Sequence, residues 1–191
     1  MAVGKCAYYE YFRATTVFVQ RTKVQSRQVL NQFLEVPYID INSYLRTGQS
    51  KGFEVERKTK LIKEVIAKSN GPPDNIKLFR STDTNFINEV FGGIDNVREG
   101  QVVRLYGFTS TSAFRESAFQ GKDVTLEVLV PVETPVAPIA LLSAADAEDE
   151  WLIQDRTQYV VRSFKILPYN KIHMVLEVIK PRKRTKKGKQ T

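Results

Sequence analysis

At Asn70-Gly71-Pro72-Pro73 the hydrophobic period of this chain changes, and that change limits what it can fold into. Before the break, apolar residues recur at helical spacing. From about Phe53 to Lys68, Leu61, Ile62, Val65 and Ile66 return every three or four positions among charged neighbours, which predicts an amphipathic helix. Asp40 is placed to cap a shorter helix that carries Ile41, Tyr44 and Leu45 on one face and closes at Gly48. Ser26 stands likewise before Val29, Leu30, Phe33 and Leu34, whose helix must end before Pro37. After the break the period falls to two. Val124, Leu126, Val128 and Val130 form one alternating row, and Ile172, Met174, Leu176 and Val178 form another. Further strands are predicted over Ile76–Ser81, Val102–Ser110, Val136–Leu142 and Tyr159–Ile166. Short helices are predicted over Asn85–Phe91, closed by Gly92-Gly93, and over Ala113–Gln120, closed by Gly121. Helices first and strands afterwards predict an α+β domain, not alternating βαβ units. Residues 1–179 read as one domain, with N-terminal helices packed on a two-sheet β core; residues 180–191 read as a basic, disordered tail.

Length and composition agree with one globular domain. A chain of 191 residues, 42% hydrophobic and 26% charged, buries a core without a disulfide or metal staple. Cys6 is the single cysteine and His173 the single histidine, so a disulfide, a two-histidine metal helix and a Cys/His zinc site are all excluded. Carboxylates, hydroxyls and arginines must carry any chemistry, and no metal is expected. No segment approaches the roughly 20 apolar residues of a membrane-spanning helix. The first residues lack the apolar core of a secretory signal. The expected setting is therefore the cytoplasm, of its own cell or of a target cell, with no membrane partner.

The net charge of +8 is unevenly placed. Seven basic residues and no acid lie between Lys180 and Lys189, which leaves about +1 for the preceding chain. Arg13, Arg21, Lys23 and Arg27 form a second acid-free group. Such runs either attract a polyanion in a salt-dependent way or serve only as solubilising ends.

Three features of the strand-rich half carry chemistry. Arg80 sits inside the apolar strand Leu78-Phe79-Arg80-Ser81, where a guanidinium needs an anion or a neighbouring carboxylate. Gly107-Phe108-Thr109-Ser110-Thr111-Ser112 puts four hydroxyls at a strand end, where they cap a helix or line a site. Glu148-Asp149-Glu150 precedes Trp151-Leu152-Ile153, and extended backbone turns Glu148 and Glu150 to one side. That pair reads either as a site or as a solvated loop entering a strand.

Taken in order, these features resemble the mono-ADP-ribosyltransferases of the arginine–STS–ExE type, found in bacterial toxins and phage enzymes. The likeness extends to Asp40-Ile41-Asn42-Ser43-Tyr44-Leu45-Arg46, similar to the upstream IN-x-x-LR helix of that family, and to Tyr159-Val160-Val161 downstream. Arg80 to Ser110 spans 30 residues and Ser110 to Glu150 a further 40, both of the family's usual size. The resemblance covers roughly residues 39–166.

It implies an enzyme that takes NAD as co-substrate, breaks its nicotinamide–ribose bond through an oxocarbenium ion, and passes ADP-ribose to a macromolecule. Glu150 is then implied to bind the ribose hydroxyl and stabilise the cation. Ser110 is implied to hold Glu150 and to contact the nicotinamide side, with Thr111 and Ser112 supporting the wall. Arg80 is implied to grip the diphosphate, and Phe114 either covers the nicotinamide or belongs to the core. Glu148 is implied to prepare the acceptor, and an ExE pair goes with arginine. The turn Leu142–Ala147 lacks the aromatic residue many protein-modifying members have there. With the basic runs, this keeps an RNA or DNA base as the alternative acceptor, with Trp151 and Tyr106 as stacking surfaces or core residues. An NAD glycohydrolase and a non-catalytic nucleic-acid-binding module are the further alternatives. The implied settings are a toxin, with a possible antitoxin partner, or a phage enzyme acting on its host.

Overall fold

The computed structural model describes residues 38–69, 71–118, 121–138 and 150–180. The helix expected after Ser26, Glu148 and the chain beyond Lys180 lie outside the described residues.

Helix α1 spans Tyr38–Thr47, with Asp40 in its first turn, where a carboxylate meets the positive end of the helix dipole. Asp40 was expected before the helix as its cap. The chain is already helical two residues earlier. The predicted closure at Gly48 is present, its amide donating to the Tyr44 carbonyl at 2.8 Å. Helix α2 spans Phe53–Lys68 and matches the expected boundaries. Val55, Thr59 and Ile66 are buried and Ile62 packs beside them, a stripe at helical spacing that faces α1 and the sheet. The stop after α2 depends on tertiary contacts as well as on proline. Ser69 Oγ donates to the Val136 carbonyl at 2.6 Å. Gly71, at φ 71°, lies against the Thr134 carbonyl so closely that a Cβ there would stand 2.4 Å from its oxygen.

The remaining described residues include β1 (Ile76–Thr82), α3 (Asn85–Phe91), β2 (Val102–Leu105), β3 (Thr109–Ser112), α4 (Arg115–Ala118), β4 (Val124–Val130), β5 (Val136–Pro138), β6 (Glu150–Ile153), β7 (Thr157–Ile166) and β8 (Ile172–Val178). These eight strands form one hydrogen-bonded sheet in the order β2-β7-β8-β4-β1-β3-β6-β5. β4 and β8 run parallel, and the other neighbours are antiparallel. The two sheets anticipated from the sequence are two wings of this one sheet. β1 and β4 share seven register pairs, whereas β1 and β3 share only Phe79↔Ser112. Among the described residues the wings therefore share a single strand bridge, backed by side-chain contacts.

Both faces of the small wing are covered. Trp151 and Ile153 of β6 enter the main core with Leu126, Val128, Met174, Leu176 and Tyr159. Leu152, pointing the other way, joins Ile41, Leu45, Ile66 and Phe108 under the helices. Each such side chain contributes about 1.5–3 kcal/mol by leaving water.

One expected strand was two. The run Val102–Ser110 divides at Tyr106-Gly107, so that β2 pairs with β7 at one edge while β3 pairs with β1 and β6 across the molecule. Continuous β-propensity hid this break. The division separates the scaffold half of the run from the half that carries the hydroxyls.

Candidate active site

β3 and β6 lie in register as Thr109↔Ile153, Ser110↔Leu152, Thr111↔Trp151 and Ser112↔Glu150. With a side-chain period of two, Thr109 and Thr111 share the core face with Trp151 and Ile153, while Ser110, Ser112 and Glu150 share the opposite face. The four hydroxyls thus do two different jobs. Thr111 Oγ1 donates to the Trp151 carbonyl at 2.8 Å, and the buried Tyr159 hydroxyl donates to Thr109 Oγ1 at 3.2 Å. Burial drives the Tyr159 phenol far above its ordinary pKa, against the smaller opposing pulls of Thr109 and Arg80, so it stays a neutral donor.

On the other face, Ser110 Oγ donates to Glu150 Oε1 at 2.5 Å, at the short end of the range for a hydroxyl on a carboxylate. That bond fixes one carboxylate oxygen. Among the described residues Oε2 accepts no hydrogen bond. Ser112 Oγ accepts the Phe114 amide at 3.1 Å, which holds the turn after β3, and the Phe114 ring is 38% exposed.

Arg80 enters from β1. Its Nη1 donates to the Ser110 carbonyl at 2.8 Å, just where the β1–β3 ladder has stopped. Among the described residues it forms no ion pair, so the reading of Arg80 as a structural partner to an acid does not hold there. Burial lowers its pKa, the negative charge of Glu150 opposes this and the positive charge of Arg46 adds to it. A guanidinium remains protonated throughout. Arg80, Ser110 and Glu150, 70 residues apart in the chain, thus converge through one serine: its carbonyl takes the arginine and its hydroxyl the glutamate.

Two contributions of α1 were not assigned from sequence. Asn42 Oδ1 accepts the Phe108 amide at 2.8 Å and Nδ2 donates to the Phe108 carbonyl at 3.4 Å, clamping the turn into β3. Gly107 makes room for it, since a Cβ at that position would stand 2.8 Å from Asn42 Oδ1. Arg46, one turn after Asn42, is near enough to Arg80 for its charge to weigh on it, and it pairs with Glu89 at 3.9 Å. The signal was present in the sequence: Asn42 and Arg46 are four apart and so share a helix face. Asn42→Ala leaves the buried Phe108 amide without its acceptor and is expected to cost about 1–3 kcal/mol in a denaturant titration.

Trp151 is fully buried, so it is core and offers no stacking surface. Tyr106, in the turn between β2 and β3, is 50% exposed. His173 Nε2 lies 3.4 Å from Glu127 Oε1 on β4. Among the described residues no three His, Cys, Asp or Glu side chains gather as metal ligands, and no helix is long and apolar enough to cross a membrane.

Comparison with known proteins bears on the whole chain. No match was found among curated protein sequences. Among solved structures, the fold is similar to Plx2a, an ADP-ribosyltransferase toxin from Paenibacillus larvae, with a TM-score of 0.74 and 18% identity over 91% of this chain and 94% of that one. C3stau2 from S. aureus, solved with NAD, is similar at TM-score 0.74 and 18% identity, over 91% and 96%. The Clostridium limosum C3 exoenzyme is similar at 0.73 and 20%, over 91% and 93%. At such identities the likeness establishes the fold. The profile of the ADP-ribosyltransferase exoenzymes matches residues 9–186, a span that includes all the residues that meet at Ser110. By that match this chain belongs to the ADP-ribosyltransferase exoenzyme family, whose members are NAD-dependent enzymes.

Proposed function

We propose that this chain transfers a single ADP-ribose from NAD to the guanidinium of a protein arginine. The observation that carries the reading is the convergence on Ser110, where Glu150 Oε1 is held at 2.5 Å and Arg80 at 2.8 Å. NAD offers a diphosphate, which suits the Arg80 fork with Arg46 nearby, and a ribose whose hydroxyl suits the second Glu150 oxygen. When the bond from ribose C1′ to the nicotinamide nitrogen breaks, both electrons leave with nicotinamide and C1′ becomes cationic. A carboxylate fixed beforehand by Ser110 stabilises that cation without reorganising. Phe114, partly exposed beyond Ser112, is the residue assigned to cover the nicotinamide ring. The acceptor nitrogen then attacks C1′ and gives up a proton.

Glu148 is the residue assigned to that proton. Arginine ionises only far above neutral pH, so attack through its nitrogen needs a carboxylate close by. Glu148→Ala is expected to abolish transfer to macromolecules while part of the nicotinamide release persists. Normal transfer by this variant would remove Glu148 from the role.

Two of the compared structures belong to toxins or exoenzymes by name, and C3stau2 was solved with NAD. This supports NAD as co-substrate and a toxin-like action on a macromolecule; the alternative setting of a phage enzyme rests on the sequence resemblance. An RNA or DNA base is the competing acceptor, favoured by the half-exposed Tyr106 beside β3 and by the basic runs of the sequence. The test uses NAD labelled on its adenylate half, a cell lysate, and protease or nuclease digestion of the products. Label removed by protease and released by hydroxylamine supports protein arginine. Label removed by nuclease supports the base, and nicotinamide release without macromolecular label supports a glycohydrolase.

A further inference from the structure

Arg115 opens α4 three residues beyond Ser112, and its side chain returns across the junction of the two wings. The guanidinium carbon lies 5.3 Å from the Phe79 ring centroid, and Nη2 donates to Glu127 Oε1. Phe79 is the β1 residue bridged to Ser112, and it is also the register partner of Glu127 on β4. One side chain on the segment following the hydroxyl strand therefore ties that segment to two strands of the other wing, beside the β1–β3 strand bridge.

Glu127 is a costly residue to keep there. It is buried, and it holds Lys77 Nζ at 2.7 Å and faces His173 Nε2 at 3.4 Å as well as Arg115. Burial raises its pKa, but the bonds and charges of Lys77, His173 and Arg115 outweigh this and bring it below the ordinary carboxylate value. A buried carboxylate is tolerated only when paired in this way. None of these four groups has a part in the reaction steps above.

We propose that Arg115 is a positioning residue for NAD: by pairing with Glu127 and lying over Phe79 it clamps the turn after β3 onto β1 and β4. The clamp sets Phe114 at a fixed separation from Arg80. The Arg80–Ser110 and Tyr159–Thr109 hydrogen bonds hold β3 itself to the other wing, but neither reaches the turn beyond Ser112 that carries Phe114. The inference rests on the reading that Arg80 and Phe114 contact NAD.

The experiment measures the NAD dissociation constant by calorimetry, and KM and kcat for nicotinamide release, in the full chain and its variants. Arg115→Ala is expected to raise Kd and KM about tenfold while kcat stays within about threefold, because the groups are displaced without any loss of charge at C1′. Arg115→Lys, which keeps the charge on Glu127 and loses the planar fork, is expected to recover most of that loss. Arg162→Ala removes an ion pair with Glu177 elsewhere on the sheet and is expected to leave KM unchanged. If Arg115→Ala does not fold, Glu127→Gln carries the test, with a raised KM at near-normal kcat. An unchanged KM in folded Arg115→Ala or Glu127→Gln, or an equal rise in Arg162→Ala, overturns the clamp. A wild type that binds NAD, beside an Arg80→Ala that does not and an Arg115→Ala that does so normally, overturns the clamp alone. A wild type that neither binds NAD nor releases nicotinamide overturns the proposed function with it.

Discussion

Glu150→Gln is expected to lower kcat for nicotinamide release by about 10²–10³-fold, with NAD binding and the melting temperature nearly unchanged. The substitution keeps the shape of the side chain and leaves an amide oxygen for the Ser110 hydroxyl, now 2.5 Å from Oε1. What it removes is the negative charge beside the carbon that becomes cationic. Exchanging a charged acceptor for a neutral one weakens that hydrogen bond by about 1 kcal/mol, which is small beside the loss in the transition state. The loss therefore appears in kcat, and single-turnover measurement of nicotinamide release is the readout. Near-normal kcat in a folded Glu150→Gln protein would mean that this carboxylate is not the cation stabiliser.

The largest effect on stability is expected from the neighbouring residue. Trp151→Ala should cost about 3–5 kcal/mol, measured as a shift of the urea midpoint at unchanged slope. Trp151 has no exposed surface and fills the main core between the two wings, beside Ile153 and the rows from β4 and β8. Its carbonyl also accepts the Thr111 hydroxyl, a bond that survives the substitution as long as β6 stays paired. Because Glu150 precedes Trp151 on the same strand, loosening β6 also loosens the carboxylate. Activity at moderate temperature is expected to fall before the global transition, and restored activity on cooling would separate this from a chemical role. A cost below about 1 kcal/mol would show that the core closes around the gap.

Much of the architecture was legible before the structure. The boundaries of α2 and β4 follow directly from helical and alternating periods, and the end of α3 at Gly92 from its left-handed closure. Local pattern was enough there because each element buries one whole face. It was insufficient between Val102 and Ser110, where branched and aromatic residues run on through a turn. The break at Gly107 comes from Asn42, 65 residues earlier, which takes that space and both polar groups of Phe108. No window of local sequence contains that contact.

The site divides in the same way. The family resemblance pointed to Arg80, Ser110, Thr111, Ser112, Phe114 and Glu150, and of these the structure joins Arg80 and Glu150 through Ser110. Distribution of the hydroxyls between two faces follows from a period of two once Thr109–Ser112 is a strand of its own. Sequence alone therefore determined which side chains are present and in what order. Only the tertiary structure decided that Arg80 reaches the Ser110 carbonyl, that Trp151 is core and that Arg115 crosses to Glu127. Those outcomes depend on where two wings of one sheet, joined at a single bridge, come to rest against each other. Alternation along a strand is a property of the backbone, but the angle between wings is set by the packing of all the side chains between them.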